Sequence, residues 1–584
     1  MKNFLLLVLL VLTATCTMFS QQMGKKAHLN ELGQIEVTTV PLPDPIVVRE
    51  GGGATELFSF GRPANPVIKN SRGATLADVD NDGVDEILYG IDTKLYALEG
   101  NGDILWEKDV LGPVLLPPSV ADLDGDGTLE VVVNTGYPTT VGRVYVVEGA
   151  TANDLPGWPK NFNDNWMINA PAIADLDLDG MLDIITCERA GSTEGYVHAL
   201  TIDGDEINAN WPVLFDATPA FTPSIGDIDN DGGNDVVIAT SSTGMYAYDA
   251  NGTILTGFPL VDPDVKYSYQ SPILVDLDDD NTLEIVGTNH GDAPGFYVLN
   301  HDATYYPGWP IATAGWTYSA PTVVDVEEDG TYELFMADRN TSGDGSPLPT
   351  IYGFSPEGMD LSNFPISKYG GNEGVLTIAD ITNDGVMEVI FSSVLTDMDG
   401  NGYLHAYSLD GSGEVPGFPL RSRGFTFLNG AVVGDVDDDG MMDITFNSYT
   451  QTFGAGVDST FVNVYNLNVP HSADAILSNG YKGNNRRYGL VGEELFDVNE
   501  ITWSPKLSIS PNPSEGMLQL YADIPLSNVK FQMADIEGRL IFSEEISLES
   551  NQPFERNLSQ LSSGIYFVTV SNGSQSQTLK WIKR

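Results

Sequence analysis

Cysteine is nearly missing from this 584-residue chain, which has two, Cys16 and Cys187. Cys16 falls inside the leader described next, so the mature protein is expected to carry one thiol and no intramolecular disulfide. Basic residues are scarce as well, 27 Lys and Arg against 82 Asp and Glu, and the net charge of −55 excludes a nucleic-acid binder. Past the amino terminus no apolar run is long enough to span a bilayer, which leaves no transmembrane candidate in the mature chain. The six histidines, His28, His198, His290, His301, His405 and His471, are scattered and form no H-E-x-x-H motif. No G-x-S-x-G elbow or P-loop occurs either. With 42% hydrophobic residues the chain can bury a substantial core, so disorder is not the reading and the acid needs a structural reason.

What is present begins with a leader. Residues 1–20 start with Lys2, continue through an apolar run at 4–12 and end in small and polar residues, the pattern of a secretory signal peptide. A lipoprotein alternative at Cys16 fits poorly, because Thr15 stands where Gly, Ala or Ser is usual.

Self-similarity dominates the rest. An apolar run, then D-x-D-x-D-G-x-x-[DE], then a second apolar run returns eight times, starting at Asp78, Asp122, Asp175, Asp227, Asp276, Asp325, Asp380 and Asp435. The intervals of 44, 53, 52, 49, 49, 55 and 55 residues leave room for about four short strands per unit. No helical period appears in the array.

Three alternate carboxylates at loop positions 1, 3 and 5, a glycine at 6 for the sharp turn and a fourth carboxylate at 9 form a dense set of hard oxygen donors, which points to calcium. The expected ligands are Asp78, Asp80, Asp82 and Glu86; Asp122, Asp124, Asp126 and Glu130; Asp175, Asp177, Asp179 and Asp183; and Asp227, Asp229, Asp231 and Asp235 in the first four loops. In the last four they are Asp276, Asp278, Asp280 and Glu284; Asp325, Glu327, Asp329 and Glu333; Asp380, Asp384 and Glu388; and Asp435, Asp437, Asp439 and Asp443. Of the thirty-two positions only Thr382 is not a carboxylate, so these sites account for more than a third of the 82 acids and for up to eight calcium ions. An EF-hand is excluded, because position 12 holds Tyr89, Val133, Thr186, Ile238, Gly287, Met336, Phe391 or Phe446 and the flanks are strand-like. Thr382 should weaken the seventh site, whereas Asn281, standing for glycine in the fifth, tolerates the left-handed backbone.

With their neighbouring turns Gly157-Trp158-Pro159, Gly257-Phe258-Pro259, Gly308-Trp309-Pro310 and Gly417-Phe418-Pro419, the loops resemble the FG-GAP/VCBS repeats of integrin-α-type β-propellers over residues 65–492. The resemblance implies an all-β, eight-bladed propeller, a seven-bladed ring with one irregular unit being the alternative. The stretch 481–489 is similar to the last outer strand of such a ring. Topology puts the calcium loops on one face and the blade-to-blade segments on the other. Those segments carry Trp166, Phe221, Tyr267, Tyr269, Trp316, Tyr318, Tyr369 and Phe425, which would serve either as a ligand platform or as wedges between blades.

Residues 21–64 read as an N-terminal extension and 493–503 as a linker. Residues 504–584 carry seven basic and eight acidic side chains and alternate apolar and polar, as in a small Ig-like β-sandwich. Through Ser510-Pro511-Asn512-Pro513, the run 535–539, the run 561–566 and the basic end 580–584 they resemble the type A sorting domain of the type IX secretion system. That implies the type IX machinery as a partner and a location outside a Gram-negative cell, secreted or on its outer surface. The leading expectation is a calcium-stabilised, non-catalytic binding or adhesion module for glycan or protein. A polysaccharide lyase on an eight-bladed calcium propeller and a structural surface-layer component are the alternatives. Cys187, at the end of an apolar strand, is expected to be packed rather than reactive.

Overall fold

The computed structural model describes residues 22–29, 35–42, 53–64, 69–70, 72–136, 142–162, 167–191, 193–217, 222–240, 244–267, 271–451, 457–492, 507–522, 526–536, 539–548, 552–571 and 576–584. The leader with Cys16, and Trp166, Phe221 and Tyr269, lie outside these residues. The chain divides into two compact units, residues 1–496 and 497–584.

Among the described residues the first unit holds eight antiparallel blade sheets, with a calcium-type loop between the first and second strand of each, and one further three-stranded sheet. In blade 3, Ala172–Ala174, Asp183–Arg189, Gly195–Leu200 and Val213–Phe215 pair in chain order, and blades 1 to 6 follow the same plan. Every first strand is three or four wholly buried residues, such as Thr75–Ala77, Ser119–Ala121 and Ile273–Val275. Burial on both sides explains why these runs are continuously small or β-branched rather than alternating. A hydroxyl on many first strands joins one blade to the next. Thr75, Ser119, Ser224, Thr322 and Thr377 donate to the carbonyls of Pro118, Pro171, Pro272, Leu376 and Ala431. Farther out, the Trp106, Trp158, Trp211 and Trp309 indoles donate to Gly149, Ile202, Ala250 and Pro356 of the following blade.

The eighth blade is completed from the other end of the unit. Its strands Ala431–Gly434, Met441–Tyr449 and Ser459–Pro470 are followed outward by β3 (Thr55–Pro63), after β1 (Met23–Leu29) and β2 (Ile35–Pro41). The segment read as an extension therefore supplies the outermost strand of the ring. This corrects the expectation for 481–489. With the outer position taken by β3, the chain turns into the centre and runs as a belt along the first strands.

The belt touches the blades in ring order. Asp380 of blade 7 donates to Ala475, Asn479 exchanges two hydrogen bonds with Val433 of blade 8, and Asn485 donates to Leu76 of blade 1. The N–H groups of Val120, Ile173, Ile225 and Leu274, in blades 2 to 5, then donate to the carbonyls of Asn485, Arg486, Tyr488 and Gly489. The free edge of each first strand is otherwise a row of unpaired polar groups, and the belt satisfies it.

On the face opposite the loops, β1 and β2 form a hairpin, and β1 pairs with Leu395–Asp397 of blade 7. Ala27, Leu29 and Leu42 join Tyr318, Tyr369, Phe425, Phe427 and Tyr449 in one cluster beneath it.

The second unit is a three-stranded sheet, Ser508–Ser510, Met517–Tyr521 and Phe554–Asn557, and a four-stranded one ordered Leu540–Leu548, Leu526–Asp535, Gly564–Ser571, Ser576–Lys583. Leu518, Leu520, Phe531, Met533, Val568 and Trp581 are buried together from both sheets.

Candidate metal centres

All eight loops repeat one hydrogen-bond scheme. The position-1 carboxylate takes the position-6 N–H on Oδ2 at 2.7–2.9 Å and the position-5 N–H on Oδ1 at 3.0–3.3 Å. The position-9 carboxylate accepts the position-2 N–H at 2.8–3.0 Å, which draws the start of the second strand under the loop. The position-5 carboxylate turns to the position-7 N–H at 2.8–3.0 Å.

Positions 1, 3 and 9 therefore converge most closely. Oxygens of Asp78, Asp80 and Glu86 lie within 4.8 Å of one another, and the same holds for Asp122, Asp124 and Glu130, for Asp175, Asp177 and Asp183, for Asp227, Asp229 and Asp235, and for Asp276, Asp278 and Glu284. Each such cluster could hold a metal ion. Asp82, Asp126, Asp179, Asp231 and Asp280 stand beside these triads at position 5, engaged with the loop backbone. In the later loops Asp325, Asp329 and Glu333, Asp380, Asp384 and Glu388, and Asp435, Asp439 and Asp443 make the same backbone bonds at positions 1, 5 and 9, with Glu327 and Asp437 at position 3. Position 3 of the seventh loop is Thr382, whose Oγ1 is buried with no hydrogen-bond partner in the described structure.

The triads are electrostatically loaded. Burial, and secondarily the neighbouring carboxylates, push Glu86, Glu130, Asp183, Glu284, Glu333 and Asp443 up to about 7, and Asp235 and Glu388 up to about 8. A hard divalent cation relieves both causes at once. Two backbone positions per loop are left-handed, the glycine at 6 and, unseen in the sequence, position 4, occupied by Asn81, Leu178, Asn230, Asp279, Glu328, Asn383 and Asp438 in seven of the loops. Asn281 takes the glycine's place at φ 67°.

The described aromatics of the other face are not open. Tyr267, Tyr318, Tyr369 and Phe425 are buried and Trp316 is half-buried. Tyr318, Tyr369 and Phe425 are covered by the hairpin, and the Tyr369 hydroxyl donates to Pro41. As this part of the ring stands, the platform expected there offers no free ring face from these four. Cys187 is fully buried and burial pushes its thiol far up, so it is packed.

Residues 508–584 match the family model of a secretion system C-terminal sorting domain, and residues 122–186, which span the second and third loops, match that of an FG-GAP-like repeat. The chain carries FG-GAP-like sequence and a C-terminal sorting domain. The sorting domain assigns it to secretion and cell-surface attachment by the type IX system. Among the described residues no helix is long and apolar enough to cross a membrane.

No curated protein matches the chain. Among solved structures, the V. cholerae biofilm matrix protein Bap1 is 13% identical, with 74% of this chain and 92% of that one covered at a TM-score of 0.47. The Pseudomonas aeruginosa PilY1 C-terminal domain is 11% identical, covering 75% and 91% at 0.32. BBS1N, in complex with ARL6DN, is 13% identical, covering 62% and 96% at 0.37. The FG-GAP-like propeller of this chain rests on its own sheets and loops.

Proposed function

We propose that the protein is a calcium-stabilised binding or adhesion module displayed outside the cell. The observation that carries this reading is the eightfold repetition of one acidic loop on a single face of the ring, with the backbone bonds unchanged from loop to loop and the carboxylates at positions 1, 3 and 9 converging in each of the first five. Hard oxygens at that density suit calcium, which is plentiful outside cells and tolerates a flexible, carboxylate-rich cage better than magnesium does.

Non-catalytic binding is favoured over the lyase alternative by the belt. A lyase would need a basic residue open to the central channel, and among the described residues the belt cations Lys482 and Arg487 are buried and engaged. Lys482 Nζ donates to Pro223 and Ser224, and Arg487 donates to Tyr481 and Thr75. The test is a glycan-array and polysaccharide-depolymerisation screen of the mature ring with calcium and with chelator. Calcium-dependent retention of a glycan without new unsaturated chain ends is the expected result. Unsaturated ends would make the protein a lyase and overturn the proposal.

A further inference from the structure

Between the outer strand of blade 2 (Lys160–Asn161) and the third strand of blade 3 (Gly195–Leu200) lies a cavity of about 550 Å³. His198 stands in its wall between two carboxylates. Its Nδ1 is 2.7 Å from Glu206 Oε1 and its Nε2 is 2.8 Å from Glu188 Oε2. Phe162 meets the imidazole edge-on at 4.7 Å, and Tyr196 is half-buried at the rim. Glu206 also accepts the Ala199 N–H through Oε2. Lys160 reaches the cavity by lying over Gly204, where a Cβ would come within 1.9 Å of Lys160 Cε. The left-handed φ of 74° at Gly204 serves the turn, and its missing side chain leaves the room this lysine occupies.

Blade 7 contains the same device in closed form. His405 pairs with Glu414 at 2.6 Å and stacks on Phe391, and Lys368, in the strand matching that of Lys160, is buried against the Gly370 carbonyl. Two residues beyond Phe391 stands Ser393, where blade 3 has Glu188 two residues beyond Thr186. A histidine–carboxylate pair is therefore enough to hold the strand. Blade 3 adds a second carboxylate, a half-buried lysine whose ammonium lies 5.8 Å from the Trp158 ring centroid, and open volume, which the structural task does not require.

The two ring nitrogens point in opposite directions, each to its own carboxylate, so the group cannot converge on one metal ion. A carboxylate at each ring nitrogen favours the protonated imidazole, which with the Lys160 ammonium balances the two carboxylates and favours an uncharged ligand. Carboxylates keep acceptor capacity after one or two hydrogen bonds and can take hydroxyl donors.

We propose that this cavity is a saccharide subsite holding one neutral pyranose, with Glu188, Glu206 and Lys160 as partners for its hydroxyls and Tyr196 and Phe162 as ring walls. It rests on the binding reading above and gives that reading a place, away from the covered aromatic face.

The test uses the mature protein labelled with ¹⁵N at histidine, titrated with glucose, galactose, mannose, N-acetylglucosamine and, as the charged comparison, glucuronate. The expected result is a saturable shift of the His198 imidazole signals by at least one neutral sugar while those of His405 stay still. Tyr196→Ala and Glu206→Gln should each weaken that response about tenfold, with an unmoved His405 signal reporting an intact ring. Gly204→Ala, which displaces Lys160, should weaken it too. No response at His198, or equal drift of His198 and His405, overturns the subsite. Glycan retention on the array that survives Tyr196→Ala and Glu206→Gln also overturns it, and leaves the binding function standing.

Discussion

At the scale of single residues, loop positions that look alike in sequence do different work. The glycine at position 6 is there for backbone geometry alone. At Gly180 φ is 92° and nothing lies within 4 Å of where a Cβ would be. Gly180→Ala is therefore expected to cost about 1 kcal/mol by conformation and not by collision, measurable as a lower urea midpoint with an unchanged slope. Thr382 is the reverse case, a neutral buried hydroxyl where seven loops have a carboxylate. Thr382→Asp should tighten the weakest calcium site roughly tenfold, about 1.4 kcal/mol, and calorimetric titration would lose its weakest binding step; an isotherm identical to wild type would show that the seventh loop takes no ion.

The position-9 carboxylates also set a pH dependence. Their folded pKa values, about 7 to about 8 without metal, lie above the ordinary carboxylate range. A group that holds its proton more tightly when folded stabilises the fold at pH below its unfolded value, and that contribution is lost as pH rises through the folded one. Calcium-free protein should accordingly melt higher at pH 5 than at pH 8. With calcium the order should reverse, because protons and calcium compete for the same oxygens. A calcium-free melting temperature that rises with pH over this range would contradict the assignment.

At the scale of elements, the eight loops, the flanking strands and the turns around Trp158, Trp211 and Trp309 were legible because each is local. A ligand spacing, a two-residue alternation or an aromatic–proline pair is written in adjacent residues. The two devices that close the ring were not, because β3 pairs with a strand about 400 positions away and most belt contacts reach 200 positions or more back along the chain. β3 has the composition of any edge strand, and nothing in it names Ser459–Pro470 as its partner. The stretch 481–489, rich in Gly, Asn and Arg, resembles an outer strand, yet its backbone serves the unpaired edges of the first strands. The saccharide cavity was not legible, since the equivalent places of His198 and His405 in their strands read as a structural role and the opposing lysine comes from another blade.

Arg487 ties the belt to blade 1, buried and donating to Thr75 Oγ1 at 2.7 Å while bracing the belt's own turn through Tyr481 O at 2.6 Å. Arg487→Ala should destabilise the ring by about 3 kcal/mol, read by equilibrium urea unfolding. A loss within experimental error would mean that the belt lies in the channel without holding it.

At the scale of the whole molecule, the net charge of −55, the scarcity of disulfides and the eight loops have one explanation. The ring concentrates carboxylates that repel one another until a cation arrives, and under the proposed function calcium would take the place that disulfides occupy in many exported proteins. Binding only to the folded form adds about 2.7 kcal/mol per site at a hundredfold excess over Kd, so several filled loops outweigh the stability of an ordinary domain. The sorting domain has its own core of Leu518, Phe531, Val568 and Trp581 and none of the loops, so as a separate unit it should be indifferent to calcium.

The most direct measurement is thermal unfolding of the mature protein, together with its bound calcium by elemental analysis, before and after exhaustive chelation. The account predicts close to eight calcium ions per chain before chelation, a large fall in the melting temperature of the ring after it, and recovery when calcium is restored. Protein that carries no calcium, or that melts at the same temperature with and without it, would contradict the claim that calcium holds this ring together.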